Sequence, residues 1–323
     1  MNKHIYPFTL RLNLSFSQLI IVNILSLFLS CIMVCQQGMA SPWTLPKDRL
    51  VITMSTGYSY AYDEFINDEK GTLQNFPLQG NMQIFSLGIG GRYGLKDHLE
   101  LEIATSLRSL IYSADSFVLP TGEILQINNQ EVGLGDVYVI LTKQILSKRW
   151  PLSFQTALKL PTGYTIPEPN KIALGSGQAD ISGMFQLGHI FSYGMLVGLE
   201  GGMVLRLNGP AHQVKYGVKV AQRISGRLFL FVAQTGYHSI TEGEKTGLFN
   251  SVSPNPDVPA ENFDLDDTYQ LPFTLTQNLH QAEAGFFLGT TTKVEYSGAI
   301  IIPWAGKNAA RLMSVFFNVS HPL

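Results

Sequence analysis

Cysteine is almost missing from this 323-residue chain, which has two, Cys31 and Cys35, both inside an N-terminal apolar segment. Without that segment no thiol remains, which excludes disulfides, thiol catalysis and Cys-ligated metal together. Charge is scarce as well, at 14%, against roughly 25% in soluble domains. The net charge of −2 gives no global field to draw nucleic acid or an acidic partner. Past the leader, no apolar run approaches the ~20 residues that a membrane helix needs. Enzyme signatures are weak too. There is no Gly-x-Ser-x-Gly elbow, and His98, His189, His212, His238, His280 and His321 sit singly, mostly beside turns. Gly88-Ile89-Gly90-Gly91 imitates a nucleotide loop, but Tyr93 takes the place of its last glycine and another strand follows where a helix is required. No cofactor, metal or catalytic residue is expected.

The one long apolar run is the leader itself. Lys3 and Arg11 precede an apolar stretch from about Leu19 to Val34, and Gly38-Met39-Ala40 reads as a small-residue cleavage site. Residues 1–40 are therefore expected to be a signal peptide and 41–323 the exported domain. An uncleaved anchor is the alternative, although the stretch is near the short end for spanning. Phe28-Leu29-Ser30-Cys31 only faintly resembles a lipidation box.

What remains is rich in glycine (30 residues) and aromatics (11%), as thin, tightly turned strands require. Its dominant signal is alternation. In His98–Ile111, Leu99, Leu101, Ile103, Leu107 and Ile111 alternate with Glu100, Glu102, Ser106 and Arg108, which marks a strand with one dry and one wet face. The same pattern recurs about twelve times. Val214, Val218 and Val220 oppose Lys215, Lys219 and Arg223, and Ile181 and Phe185 oppose Asp180 and Ser182. The ninth run, Arg227–Ser239, has an ambiguous phase, with Leu228, Leu230 and Val232 competing against Phe229, Phe231 and Tyr237. Polar breaks after odd-numbered strands are mostly long, such as Asp63–Gly80, Tyr112–Val132 and Ile240–Asn278, and those after even-numbered strands are short.

An even strand count with loops segregated to one end predicts an all-β fold, an antiparallel transmembrane β-barrel of about 12 strands with short periplasmic turns and long extracellular loops. In hydrocarbon only a helix or an edgeless barrel pairs every backbone N–H and C=O. Tyrosines near strand ends, with Trp150, fit an interfacial aromatic girdle. An exported β-sandwich is the soluble alternative, but it has no reason to sort its loops this way.

Several short pieces carry a resemblance. Gly133-Leu134-Gly135-Asp136, Leu160-Pro161-Thr162-Gly163, and Leu174-Gly175-Ser176-Gly177-Gln178 followed by Asp180 come in that order, and Pro303 with Gly306-Lys307-Asn308 precedes the last strand. Together, over roughly Met82 to Ser320, the chain resembles the outer-membrane transporter family named after the meta-pathway of phenol degradation. The resemblance implies an outer-membrane barrel that passes small, often aromatic, compounds. One departure is the ending, Ser320-His321-Pro322-Leu323, where such barrels commonly finish on an aromatic residue; Phe317 is the nearest.

Candidate pore-lining residues are the charges of lumen parity: Glu100, Glu102, Arg108, Asp136, Lys159, Asp180, Glu200, Lys215, Lys219, Arg223 and Glu283. They would set an acidic wall against a basic wall across a wet pore. Alternatively they pair and seal a narrow barrel, because charge on the lipid side costs ~2–4 kcal/mol at the midplane. Gly175-Ser176-Gly177 either supplies positive φ or lets its loop fold inward. Asp264, Asp266 and Asp267 offer oxygen ligands to Ca²⁺, but without the spacing of a calcium loop they read as a solvated surface.

The functional expectation is a channel for passive uptake of small hydrophobic or aromatic molecules in the Gram-negative outer membrane, after export by the general secretory route. Its expected partners are outer-membrane lipid and lipopolysaccharide, the solute, and the barrel-assembly machinery during insertion. A sealed barrel acting as a surface scaffold or adhesin through its loops is the alternative.

Overall fold

The computed structural model describes residues 42–66, 71–76, 79–118, 124–162, 174–175, 177–207, 210–243, 252–254, 268–270, 276–290 and 293–323. The leader and Asp264, Asp266 and Asp267 lie outside these residues.

Strict period-2 patterning yields twelve wall strands: β1 (Leu50–Ala61), β2 (Asn81–Lys96), β3 (Leu99–Val118), β4 (Ile124–Leu134 and, after a break at Gly135-Asp136, Val137–Leu146), β5 (Leu152–Leu160), β6 (Asp180–Ile190), β7 (Met195–Arg206), β8 (Gln213–Ser225), β9 (Leu228–Ser239), β10 (Asn278–Gly289), β11 (Glu295–Lys307) and β12 (Met313–Pro322). Each is antiparallel to the next, and β12 returns to β1 in register from Val51 opposite Pro322 to Tyr60 opposite Met313. The ring is closed, which removes the open edges that hydrocarbon would not tolerate.

The faces are inverted relative to a soluble protein. Ile103, Phe185, Val232 and Ile300 are all more than half exposed on the outside, while Ser55, Glu100, Gln186 and Glu283 are buried within. An apolar belt around a polar interior is what lipid outside and water inside demand. This is a twelve-stranded antiparallel barrel of the outer-membrane type. Phe231 is buried and Leu230 and Val232 are exposed, which settles the phase of β9 with its aromatic set inward.

Aromatic residues border the belt at both ends. Trp150 stacks on His189 at 4.4 Å, beside Phe191, near the short turns. At the other end Tyr216 hydrogen-bonds His280, and Trp304 Nε1 donates to Gln234 Oε1 at 3.1 Å, satisfying an amide on the lipid face. Trp304 is the extra residue of a β-bulge, with His280 opposite Ala305 and Gln281 opposite Pro303. A bulge is where a strand tolerates a proline.

One expected loop is mostly strand. The break expected over Tyr112–Val132 is the continuation of β3 and the first part of β4, paired from Leu107 opposite Leu134 to Val118 opposite Ile124. Alternation weakens there because a hairpin standing clear of the membrane has no lipid face to keep apolar. A three-stranded ribbon, Asp63–Phe65, Leu73–Asn75 and Ala309–Ala310, also forms at the loop end. Arg311 closes it on Asp63 at 2.6 Å, and Phe65 is buried against Gly306, where a Cβ would come within 2.6 Å of its ring.

Candidate interior channel

A cavity of about 850 Å³ is lined by residues from Leu312 at the loop end to Glu100 and Ser320 at the turn end. Period-2 geometry sends every second side chain of each strand into it. Three zones follow one another along the axis.

At the loop end, Arg108, Asp136, Lys159, Asp180, Arg206 and Lys215 surround a chamber of about 290 Å³, with Tyr138 and Tyr237 on its wall. Lys159 lies 2.6 Å from Asp180 and 3.9 Å from Asp136, and Arg206 reaches Asp180 at 3.8 Å. Gln178 Nε2 donates to Asp180 Oδ1 at 3.1 Å. Arg108 bonds neutral oxygens, donating to Ser106 Oγ and to the carbonyl of Leu174. The Leu174 side chain, ahead of β6, is buried with Met82 and Leu110. Gly133 faces it, and a Cβ there would sit 2.5 Å from Leu174 Cδ1. Gly177 has φ +70°, as the first reading of the glycine-rich segment requires, and Leu174 beside the segment is buried.

In the middle zone, Glu200 and Glu283 line the cavity. The Lys219 ammonium lies 4.3 Å from the Phe231 ring centre and 5.2 Å from that of Phe287, so it is held against aromatic faces. Phe231, Ile301, Phe316, Ala221, Ala233 and Ala299 form an apolar cluster in this half of the barrel.

At the turn end the chain from Pro42 to Arg49 crosses the mouth. Ser153 Oγ donates to the Pro42 carbonyl, Thr44 Oγ1 to Gln144 Oε1, and the Leu45 amide to Glu100 Oε2 at 2.8 Å. The same Glu100 takes two hydrogen bonds from Arg92, at 2.8 and 2.9 Å. Two glycines make room for the segment. A Cβ on Gly94 would lie 2.0 Å from the Pro46 carbonyl oxygen, and one on Gly188 would lie 2.6 Å from Pro42 and 2.7 Å from Trp43.

The charges of lumen parity thus divide among zones. Arg108, Asp136, Lys159, Asp180 and Lys215 meet in one chamber, Glu200 and Glu283 line the cavity at mid-height, and Lys219 is packed on Phe231 and Phe287 without lining it. Glu100 and Glu102 are near the start of β3, and Arg223 lies exposed close to the β8–β9 turn, 5.1 Å from the Phe229 ring. Ion pairs form across strands in the loop-end chamber and between Arg92 and Glu100 at the turn end, while Lys219 at mid-height lies against aromatic faces. Arg206 and Arg92 also face inward and were not among the candidates read from the sequence. Alternation through Glu200, Gly202, Val204 and Arg206 would have found the first, and counting back from Tyr93 the second. Nothing in the pattern of residues 42–49 signals that they enter the mouth.

No protein-family model matches the chain, and no curated protein matches it. Among solved structures it is similar to an outer-membrane channel from Pseudomonas putida F1, at 14% identity and TM-score 0.60, over 89% of this chain and 100% of that one. A weaker likeness is to the transport unit of the autotransporter AIDA-I from Escherichia coli, at 12% identity and TM-score 0.46, over 88% and 92% of the two chains. The first of these bears on the fold, since the likeness extends over the whole of that chain.

Proposed function

We propose that the protein is an outer-membrane channel admitting small amphipathic or aromatic molecules by passive diffusion, reached after export through the general secretory route. The observation that carries this reading is the cavity of about 850 Å³ inside a closed, lipid-facing wall, where polar and charged side chains such as Arg92, Glu102, Arg108, Glu200, Lys215 and Glu283 stand among apolar ones. A barrel serving only as a support would gain by filling that volume with packed apolar residues, since an interior without voids is the stabler one. The likeness to a barrel described as an outer-membrane channel supports the same conclusion. No energy source, cofactor or catalytic step enters it. Surrounding lipid and lipopolysaccharide and, during insertion, the assembly machinery are the remaining partners of this reading.

The Pro42–Arg49 segment and the apolar cluster below mid-height favour a second reading, a barrel closed to solutes that works through its loops. A vesicle-swelling assay separates the two. Proteoliposomes holding the refolded protein, placed in isotonic benzoate, glycine or a disaccharide, should swell with the two small solutes and stay shrunken with the disaccharide. Failure to swell in any of them would leave the scaffold.

A further inference from the structure

Resting on the channel reading, the loop-end chamber narrows the class of solute. Four cationic side chains, Arg108, Lys159, Arg206 and Lys215, line it against two carboxylates, Asp136 and Asp180. The carboxylates are engaged by Lys159 and Arg206. That leaves two positive charges in excess among the described residues. Arg108 spends its hydrogen bonds on neutral oxygens. Lys215, opposite Gly202 and Tyr237, has no carboxylate within ion-pair distance among the described residues. Tyr138, Tyr237, Ala157 and Val204 supply flat and apolar wall beside these cations. The volume, about 290 Å³, lies at the low end for small-molecule sites.

We infer that this chamber is a binding site for a small aromatic carboxylate, whose ring lies against Tyr138 and Tyr237 while its carboxylate is held by Lys215 and Arg108. Each element is needed for that choice. An aromatic alcohol would leave the two excess positive charges without a counter-charge, and an aromatic amine would be repelled. A guanidinium presents a fork that matches a planar carboxylate, and an ammonium adds a point charge from any side. The site stands at the loop end, where a solute enters, so it acts as a capture step ahead of the apolar zone. Capture from solution by a net positive chamber weakens as salt rises.

The test is equilibrium binding, which does not depend on conduction. Titration of the refolded barrel in detergent with 4-fluorobenzoate, followed by fluorine NMR, is compared with 4-fluorobenzyl alcohol. Lys215→Gln removes charge without cutting a hydrogen bond, and Arg108→Gln is the second variant; heat-modifiable migration confirms that each is folded. The expected result is preferential binding of the carboxylate, with its Kd raised about tenfold by Lys215→Gln, the scale of one charge-assisted contact, and the alcohol unaffected. Equal binding of acid and alcohol, or a carboxylate Kd unmoved by both variants, overturns the site. Carboxylate binding without swelling would keep the site and remove the channel; swelling without carboxylate preference would do the reverse.

Discussion

The two ends of this barrel solve opposite problems with the same alternating strands. At the loop end, inward positions carry Arg108, Lys159, Asp180, Arg206 and Lys215, and the space between them stays open. Toward the turns, inward positions of β8 to β12 carry Phe231, Ala233, Ile301 and Phe316, and the mouth is crossed by Pro42–Arg49. Period 2 decides which face a side chain takes, and the composition of the inward set decides whether that stretch of lumen is wet or packed. The wet zone would select solutes by charge, and the narrow zone would set how fast they pass.

The largest change should come from the narrow end. Deleting residues 42–47 is expected to raise single-channel conductance about threefold or more, because a constriction in series dominates the resistance of a pore. Unaltered conductance would show that the segment stands aside of the current path. Lys215→Glu comes next. It takes the loop-end chamber from two excess positive charges to none, and the reversal potential in a salt gradient should move toward cations. Lys219→Glu, by contrast, alters a cation lying against Phe231 and Phe287, so its shift should be clearly smaller. Equal shifts would erase the distinction between zones. Gly188→Val should mimic part of the deletion, since its side chain would overlap Pro42 and Trp43; the readout is a conductance between those of wild type and deletion. The smallest expected effect on conduction is Val232→Arg, on the lipid face. Its cost is ~2–4 kcal/mol of stability near the midplane, measured by urea titration in lipid, with selectivity unaltered.

Much of the fold was legible in the chain because lipid imposes one rule on every strand. Leu99, Leu101 and Ile103 against Glu100 and Glu102 admit a single placement, and the structure adopts it. Legibility fails where lipid no longer touches the chain. The upper part of β3 and β4 reads as a polar loop because strict alternation of apolar and polar residues lapses there, although the strands stay paired. In β9 the parity signal is lost for a different reason. Phe229 and Phe231 are apolar on the inside, where the rule expects polar residues, since that stretch of lumen is packed. The site shows the same limit. Parity places Lys159 and Lys215 inside, but that they share a chamber depends on strand tilt and on Leu174 folding inward, neither of which leaves a periodic mark. The entry of Pro42–Arg49 into the mouth is written only in the glycines it rests on, Gly94 and Gly188, which in sequence look like any other glycines of a twisted strand.

The most direct test is single-channel conductance of the refolded protein from residue 41 onward in a planar bilayer, at low and high salt. Discrete openings that prefer anions at low salt and lose that preference at high salt are the result expected of a pore with a cationic outer chamber. A folded, heat-modifiable barrel that never conducts would contradict it.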